Sequence, residues 1–168
     1  MIRILLMSDT HGYMDERILE HAAEADEVWH AGDIGPLESI REIRRIKPVR
    51  AVFGNIDGRE VRQQAPLDNR FELDGLDVWM THIGGYPGRY EPRVREILKV
   101  KPPGLFICGH SHILKVQFDQ KYRMLTMNPG AAGMNGFHKV RTMLRFAIDQ
   151  GEVKDLAVIE LGPRGRTI

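Results

Sequence analysis

Seven side chains that can bind a metal follow short apolar segments: Asp9, His11, Asp33, Asn55, His82, His110 and His112. Each lies just after a predicted β-strand, so a single rim of the sheet could gather all of them. They suffice for two ions with about four protein donors each if one carboxylate bridges, which leaves positions for water and substrate. Imidazole, carboxylate and amide donors without thiolate favour first-row divalent metals such as Mn, Ni, Zn or Fe over Ca²⁺.

The charges of such a site suit a phosphate diester. Two divalent cations against Asp9, Asp33 and a bridging hydroxide leave about one net positive charge if the histidines are neutral. The cations would lower the pKa of the bridging water and neutralise charge on the phosphoryl oxygens during in-line attack. The pattern therefore predicts hydrolysis by a metal-bridging hydroxide, with no side-chain nucleophile required.

Strands and helices alternate in the first half of the predicted chain. Apolar runs predict strands over residues 2–7, 28–31 and 49–53, and this series indicates a parallel sheet with right-handed crossovers. Helical spacing predicts one helix from the N-cap Asp15 to about Ala25 and another from Leu37 to Ile46, before Pro48. Asp9 and His11 are then expected to point the same way from an extended chain.

The second half is predicted to consist mainly of antiparallel strands. Residues 70–73 and 76–81 flank Asp74-Gly75, a strong hairpin signal, and are expected to continue the sheet. A helix containing Val94, Ile97 and Leu98 precedes Pro102. Further strands are predicted at 105–108, 114–118, 124–127, 142–148 and 153–161, the last two joined by a turn at 149–151.

Composition predicts an ordinary globular protein. The 168 residues are 42% hydrophobic and 28% charged, so we expect one domain spanning 1–168. The formal net charge of +1 gives no field to recruit nucleic acid or an anionic membrane. Cys108 is the only cysteine, which excludes an intrachain disulfide and suggests a reducing compartment. Without a membrane-length apolar stretch or signal peptide, we expect a cytoplasmic location.

Five motifs resemble, in order and strand placement, those of the calcineurin-like metallophosphoesterase superfamily. They are Asp9-Thr10-His11, Gly32-Asp33, Gly54-Asn55-Ile56-Asp57, Thr81-His82 and Gly109-His110-Ser111-His112. The short length and the Asn128-Pro129-Gly130 segment resemble its small YfcE-type phosphodiesterase branch. This resemblance implies a four-layer α/β/β/α sandwich with mixed sheets and a dinuclear site at the strand ends.

The resemblance also implies a role for each donor. One metal would be bound by Asp9, His11, Asp33 and His112, and the other by Asp33, Asn55, His82 and His110, with Asp33 bridging. Catalysis would depend on Asp33, Asn55, Asp57 and His82, where Asp57 orients a ligand. The implied substrate is a small-molecule or nucleotide phosphodiester. A homodimer or homotetramer is the implied assembly.

One position departs from the superfamily pattern. Ile56 stands where a histidine normally protonates the leaving group, so we expect weak activity toward poor leaving groups, a loss of about a hundredfold or more. Two alternatives stay open. One is a phosphomonoesterase of the same fold, and the other is a non-catalytic protein-binding scaffold similar to the retromer subunit that shares this fold.

Further polar and aromatic residues have structural and functional interpretations. We interpret His30, inside the second strand, as a packed histidine that supports the site. His138 and Arg141 could reach the phosphate, although a solvated loop is favoured. Tyr86 could line the mouth of the site, although a surface position is favoured. Cys108 is expected to be buried and chemically idle.

Overall fold

The computed structural model describes residues 1–165. Twelve strands and four helices form within this range. The strands are β1 (Ile2–Met7), β2 (Glu27–His30), β3 (Val49–Ala51), β4 (Asp68–Leu73), β5 (Leu76–Thr81), β6 (Gly85–Tyr86), β7 (Arg89–Tyr90), β8 (Leu105–Ile107), β9 (Leu114–Asp119), β10 (Met124–Pro129), β11 (Val140–Asp149) and β12 (Glu152–Pro163). The helices are α1 (Glu16–Glu24), α2 (Leu37–Arg44), α3 (Arg59–Gln64) and α4 (Pro92–Val100).

The first sheet has the order β12-β11-β1-β2-β3. Its strands β1, β2 and β3 are parallel, as the alternating pattern predicts. The other edge of β1 pairs antiparallel with β11, with Ile2 opposite Ile148. Along β1, Ile4 and Leu6 belong to one apolar cluster, while Leu5 and Met7 belong to another. The continuous apolar run thus arises because both faces of this strand are covered.

The second sheet has the order β4-β5-β8-β10-β9. The predicted hairpin forms, with Leu73 opposite Leu76, but the prediction that it continues the first sheet is wrong. It begins a separate sheet because the inner face of the first sheet is apolar and must be covered. Phe71 of β4 packs edge-on against Trp29 of β2, with ring centroids 5.1 Å apart, and this contact joins the two sheets.

Helices cover the outer faces of both sheets. Ile18 and Ala22 of α1 pack on the first sheet, whereas Val94 and Leu98 of α4 pack on the second. The predicted four-layer α/β/β/α arrangement with mixed sheets is therefore confirmed. Within residues 1–165, no helix combines the length and apolar character needed to cross a membrane.

Short elements and element ends differ from the sequence-based prediction. The helix α2 ends at Arg44, so Ile46 lies outside it and is exposed. The strand β3 ends at Ala51 and does not reach Phe53. The helix α3 was not predicted because Val61 is its one buried residue, which leaves no apolar period to detect. The strands β6 and β7, of two residues each, are too short to show alternation.

Candidate metal centre

The polar segments that follow β1, β2, β3, β5 and β8 meet at one rim of the sandwich. They bring together all seven predicted donors in two neighbouring groups. Asp9, His11 and His112 form the first group, Asp33, His82 and His110 form the second, and in each group the possible ligand atoms lie within 4.8 Å of one another. Asn55 joins the second group, with its Oδ1 3.1 Å from His82 Nε2 and 3.0 Å from His110 Nδ1.

Two carboxylates connect these groups. Asp33 Oδ2 lies 3.5 Å from His11 Nε2 in the first group and 3.2 Å from His82 Nε2 in the second. Asp9 Oδ1 lies 3.2 Å from His112 Nε2 and 3.8 Å from His82 Nε2. Because Asp33 contacts donors of both groups through one oxygen, its position suits a carboxylate shared between two cations.

Five of the seven donor residues have a left-handed backbone. Their φ angles are 54° at Asp9, 47° at His11, 55° at Asp33, 69° at His110 and 62° at His112. The expectation of an extended chain from Asp9 to His11 is therefore wrong. Such conformations cost on the order of 1 kcal/mol or more each and persist where surrounding contacts enforce them. Here Asp9 N donates to Gly32 O at 2.9 Å and His11 N donates to Asp33 O at 3.0 Å, which extends the β1–β2 pairing into the turns.

Asp57 stabilises the two segments that carry Asp33 and Asn55. Its buried carboxylate accepts hydrogen bonds from the backbone N–H groups of Ile34 at 3.1 Å, Gly35 at 2.8 Å and Gly54 at 2.8 Å. These bonds hold the segment after β2 against the segment after β3, and thereby set the separation of Asp33 and Asn55. Asp57 thus positions donors rather than supplying one.

Within residues 1–165, two buried polar atoms of the cluster lack a hydrogen-bond partner and suit a cation. Asp9 Oδ2 accepts hydrogen bonds from Ser8 Oγ at 2.6 Å and from His110 N at 3.1 Å. The other oxygen, Oδ1, and His11 Nε2 are buried and have no hydrogen-bond partner among the described residues. Buried polar atoms without partners are costly, and a divalent cation would satisfy both of these. The donor set therefore fits divalent metal ions.

His82 is held with a lone pair facing the cluster. Its Nδ1–H donates to Ala31 O at 2.7 Å, so Nε2 faces Asp33 and Asn55 as an acceptor when the ring is neutral. Gly32 makes this possible, because a Cβ there would collide with the His82 ring. Metal-binding histidines commonly donate their second N–H to a backbone carbonyl in this way, which fixes their orientation.

The electrostatics of the cluster favour positive charge. Burial opposes ionisation of Asp33, but its contacts with His82, the N–H of Ile56 and His11 lower its pKa to about 2. Burial also opposes charge on His82, yet the neighbouring carboxylates of Asp33 and Asp9 raise its pKa. The cluster thus stabilises a cation at this point, whether a proton or a metal ion.

His30 lies beneath the donors and is fully buried, as interpreted from the sequence. Its Nδ1 accepts a hydrogen bond from Gly32 N at 3.2 Å, and its Nε2 lies 2.8 Å from Thr10 Oγ1. Because the Thr10 hydroxyl is within donating distance of Ile34 O at 3.2 Å, it can accept from His30 Nε2–H. Both contacts suit a neutral imidazole, and burial lowers the pKa of His30 to about 4.

His138 contacts the first donor group, whereas Arg141 fixes a neighbouring loop. Arg141 is buried, donates to Ala132 O at 2.8 Å and pairs with Asp15 at 3.0 Å, so it fixes a loop rather than facing a substrate. His138 is half-buried, lies 2.9 Å from Gly133 O and packs edge-on against His112, with ring centroids 5.2 Å apart. The solvated-loop interpretation is therefore wrong for Arg141, which is buried in β11, whereas His138 lies in a loop and is partly exposed. No period or motif in the sequence reveals these contacts.

Comparison with known proteins agrees with this geometry. Residues 2–151 match the family model of the calcineurin-like phosphoesterase superfamily domain. The chain belongs to this superfamily. A probable metallophosphoesterase of Methanothermobacter thermautotrophicus is 25% identical over 162 residues, which cover 94% of this chain and 91% of the relative. The resemblance proposed from the five motifs is thus confirmed.

Solved structures of the same fold fall into two kinds. A novel archaeal phosphodiesterase superposes with a TM-score of 0.75 at 22% identity, covering 95% of this chain and all of that one. Vps29 of Chaetomium thermophilum superposes with a TM-score of 0.73 at 14% identity, covering 98% of this chain and all of that one. The superfamily is metal-dependent, and membership supports phosphoesterase activity on small-molecule substrates.

Gly54→Ala is expected to weaken divalent metal binding by about tenfold or more, because a Cβ at Gly54 would collide with the carboxylate of Asp33. Gly58→Ala is the matched control, since a Cβ there meets no atom within 4 Å. Titration calorimetry of Mn²⁺ into the metal-free proteins measures the effect. Equal affinities in the two variants would show that the Asp33 position is not critical.

In the presence of a chelator, His30→Gln is expected to lose less free energy of unfolding on acidification than the parent protein. The pKa of His30 is about 4 in the folded protein and 6.5 for an unperturbed histidine, so the unfolded chain binds more protons between these values. The stability contributed by neutral His30 is therefore present above pH 6.5 and declines as the pH falls toward 4. Between pH 7 and pH 5 the parent protein should lose about 2 kcal/mol more free energy of unfolding than His30→Gln.

Urea unfolding at both pH values measures this difference. The matched control is His21→Gln, the same chemical change on α1, away from Thr10. If His30→Gln and the parent protein lose the same free energy of unfolding, His30 is not held neutral by burial.

Proposed function

We propose that this protein is a metal-dependent phosphodiesterase with a dinuclear centre. The observation that carries this proposal is the position of Asp33 Oδ2 within 3.5 Å of a donor from each group. In the proposed centre, Asp9, His11, Asp33 and His112 hold one ion, and Asp33, Asn55, His82 and His110 hold the other. The ions are divalent and of the Mn, Ni, Zn or Fe type, because the donors are nitrogen and oxygen atoms only.

The side chains set the charge and shape of the centre. When bound, the two ions supply an activated water and neutralise charge on the phosphoryl oxygens. Asp9 and Asp33 are the only anionic donors of the set, so the loaded centre keeps a net positive charge that attracts a phosphate. The left-handed turns fix both carboxylates before substrate arrives, which avoids reorganisation during the reaction.

The reaction that this arrangement supports is the hydrolysis of one ester bond. A water oxygen forms a new bond to phosphorus, and the bond from phosphorus to the leaving oxygen breaks. The protons of the water pass to solvent, and the leaving oxygen departs as an anion that takes up a proton from solvent when its pKa lies above the pH. Asp33 also accepts the N–H of Ile56 at 3.1 Å, which places an apolar side chain, 46% exposed, at this part of the rim. Leaving groups that depart without a proton are therefore favoured.

The diester preference has two supports. The five motifs and the Asn128-Pro129-Gly130 segment resemble the small phosphodiesterase branch, and the net positive charge of the centre attracts a singly charged diester. A solved structure of the same fold is that of an archaeal phosphodiesterase. A phosphomonoesterase remains the nearest alternative, and the substrate comparison below separates the two.

A protein-binding scaffold is the second candidate function. Val116 and Phe118 project exposed apolar surface from the edge strand β9, as a partner-binding surface would. Vps29 proteins share the fold, and one from Entamoeba histolytica was solved as a Zn²⁺ complex. Metal binding alone therefore does not separate an enzyme from a scaffold, whereas measured hydrolysis does.

Asp33→Asn and His112→Ala are each expected to lower hydrolysis of bis(p-nitrophenyl) phosphate at least about a hundredfold, because each removes a donor from the cluster. Mn²⁺ uptake by the same variants, measured by elemental analysis, should fall in parallel. Phe118→Ala on β9 is the control and should leave both unchanged. Turnover that survives in Asp33→Asn, or faster hydrolysis of p-nitrophenyl phosphate than of the diester by the parent protein, would contradict the proposal.

Ile56→His is expected to raise hydrolysis of diphenyl phosphate by about tenfold to a hundredfold, because a histidine could protonate the poor leaving group. Hydrolysis of bis(p-nitrophenyl) phosphate, whose leaving group needs no proton, should change less than about threefold. Ile56→Gln is the control, with a polar side chain that is a poor acid. An equal gain for both substrates, or the same gain in Ile56→Gln, would show that proton donation is not what this position lacks.

A further inference from the structure

A cavity of about 260 Å³ adjoins the segment that carries His110 and His112. Ser111, between these two histidines, forms part of its wall. Asn128 Nδ2 donates to Ser111 Oγ at 3.1 Å and to Gly109 O at 2.9 Å, so the wall is fixed to the donor segment. A group held in this cavity would therefore contact the segment that carries the candidate donors His110 and His112.

Much of the lining of this cavity is apolar or aromatic. Met127 is buried at its base, whereas Ile113 and Tyr86 also line it and are 64% and 42% exposed. Large apolar side chains exposed around a concavity are typical of ligand sites. Because the volume is below the roughly 300–1,000 Å³ of pockets for drug-sized ligands, the cavity suits a single ring system rather than an extended chain.

Lys115 supplies positive charge to this cavity. It is one of the lining residues, and its Nζ lies 4.3 Å from the centroid of the Tyr86 ring. Within residues 1–165, Lys115 makes no ion pair with a carboxylate, and no carboxylate lines the cavity. The site therefore combines an aromatic wall with a cation that is free to meet an anionic ligand.

Two other cavities suit this role less well. One of about 180 Å³, on the side of Asn55 and His82, is lined by Glu91 and by Arg93, whose guanidinium is paired with Asp68, so its described lining offers no unpaired cation to a phosphate. Another of about 380 Å³ is lined by Arg3, His21 and residues of β11, and none of its lining residues adjoins one of the seven donors in sequence, as Ser111 does. The cavity at Tyr86 and Lys115 thus combines proximity to the rim, aromatic lining and favourable charge.

We propose that this cavity is the subsite for an aromatic ester group of the phosphodiester substrate, and that the biological class of that group is a nucleoside. The base packs against Tyr86, Ile113 and Met127, and Lys115 faces the negative charge of the nucleotide. This proposal rests on the proposed function for its substrate, but it makes a separate claim about binding. It assigns Tyr86, Ile113 and Lys115 to substrate specificity.

The test compares two ligands that differ only in the base. Adenosine 5′-monophosphate and ribose 5-phosphate are titrated by calorimetry into the Mn²⁺-loaded protein. The nucleotide should bind about tenfold or more tightly, because a base on an aromatic wall adds stacking energy. In Tyr86→Ala this ratio should fall below about threefold, while the affinity for ribose 5-phosphate stays unchanged.

Second variants keep the test independent of one substitution. Ile113→Ser should also lower the ratio, and this residue is exposed enough to be replaced without loss of the fold. Lys115→Gln should weaken both ligands alike, because both carry a phosphate. The matched control is Phe118→Ala, an exposed aromatic residue of β9 outside the cavity, which should leave the ratio unchanged.

The outcomes separate this proposal from the proposed function. Equal affinities for the two ligands, undetectable nucleotide binding, or a ratio that persists in both Tyr86→Ala and Ile113→Ser would overturn the subsite. If the ratio is found and no diester is hydrolysed, the phosphodiesterase assignment fails while the subsite stands. If diesters are hydrolysed without a preference for the base, only the subsite fails.

Discussion

The candidate centre depends on the chain reversing direction directly after its parallel strands. Asp9, His11 and Asp33 all adopt positive φ, which L-residues other than glycine avoid unless the surroundings enforce it. The enforcement comes from backbone hydrogen bonds between the turns after β1 and β2, and from the three N–H groups that Asp57 accepts. The stability of the sandwich thus maintains strained donors whose conformations a flexible loop would not retain.

A second constraint is the enclosure of two carboxylates among imidazoles. Asp9 and Asp33 are buried, and burial of like charges is unfavourable without compensation. Two histidines at different depths compensate for these buried charges. His30, beneath the turns, is kept neutral by burial and forms a hydrogen bond with Thr10. His82 lies within reach of both carboxylates, which raise its pKa and favour a cation. The pKa of the histidine beneath the centre is therefore lowered, whereas the pKa of the histidine inside the centre is raised.

Much of the fold, and the gathering of the seven candidate donors at one rim, could be predicted from sequence, because both depend on local patterns. The apolar run of β1 identifies a strand covered on two faces, and the Asp74-Gly75 turn identifies the β4–β5 hairpin. The donors could be found because each follows such a strand. This logic fails where the deciding interaction is between distant residues. The second sheet, which includes β4, packs on the first through contacts such as that of Phe71 with Trp29, which no local period encodes.

Other features of the centre escape sequence reasoning for a related reason. The left-handed turns are held by hydrogen bonds between segments more than twenty residues apart. The sequence Asp9-Thr10-His11 therefore shows only an ordinary polar pattern, which does not indicate a left-handed backbone. Gly54 is needed because the Asp33 carboxylate occupies the space of a Cβ, and this requirement appears only in three dimensions. Arg141 resembles a surface cation in sequence, yet it is buried against Ala132 and Asp15.

The topology of the first sheet has a consequence for the order in which the molecule can assemble. Strand β1 lies at the centre of that sheet, but its antiparallel neighbour β11 is more than 130 residues later, with Ile2 opposite Ile148. During synthesis, β1 emerges from the ribosome long before this partner exists, so one of its edges stays open while most of the chain is made. Contacts of such large sequence separation slow folding. The first sheet is therefore expected to be completed late, when β11 of the β11–β12 hairpin pairs with β1.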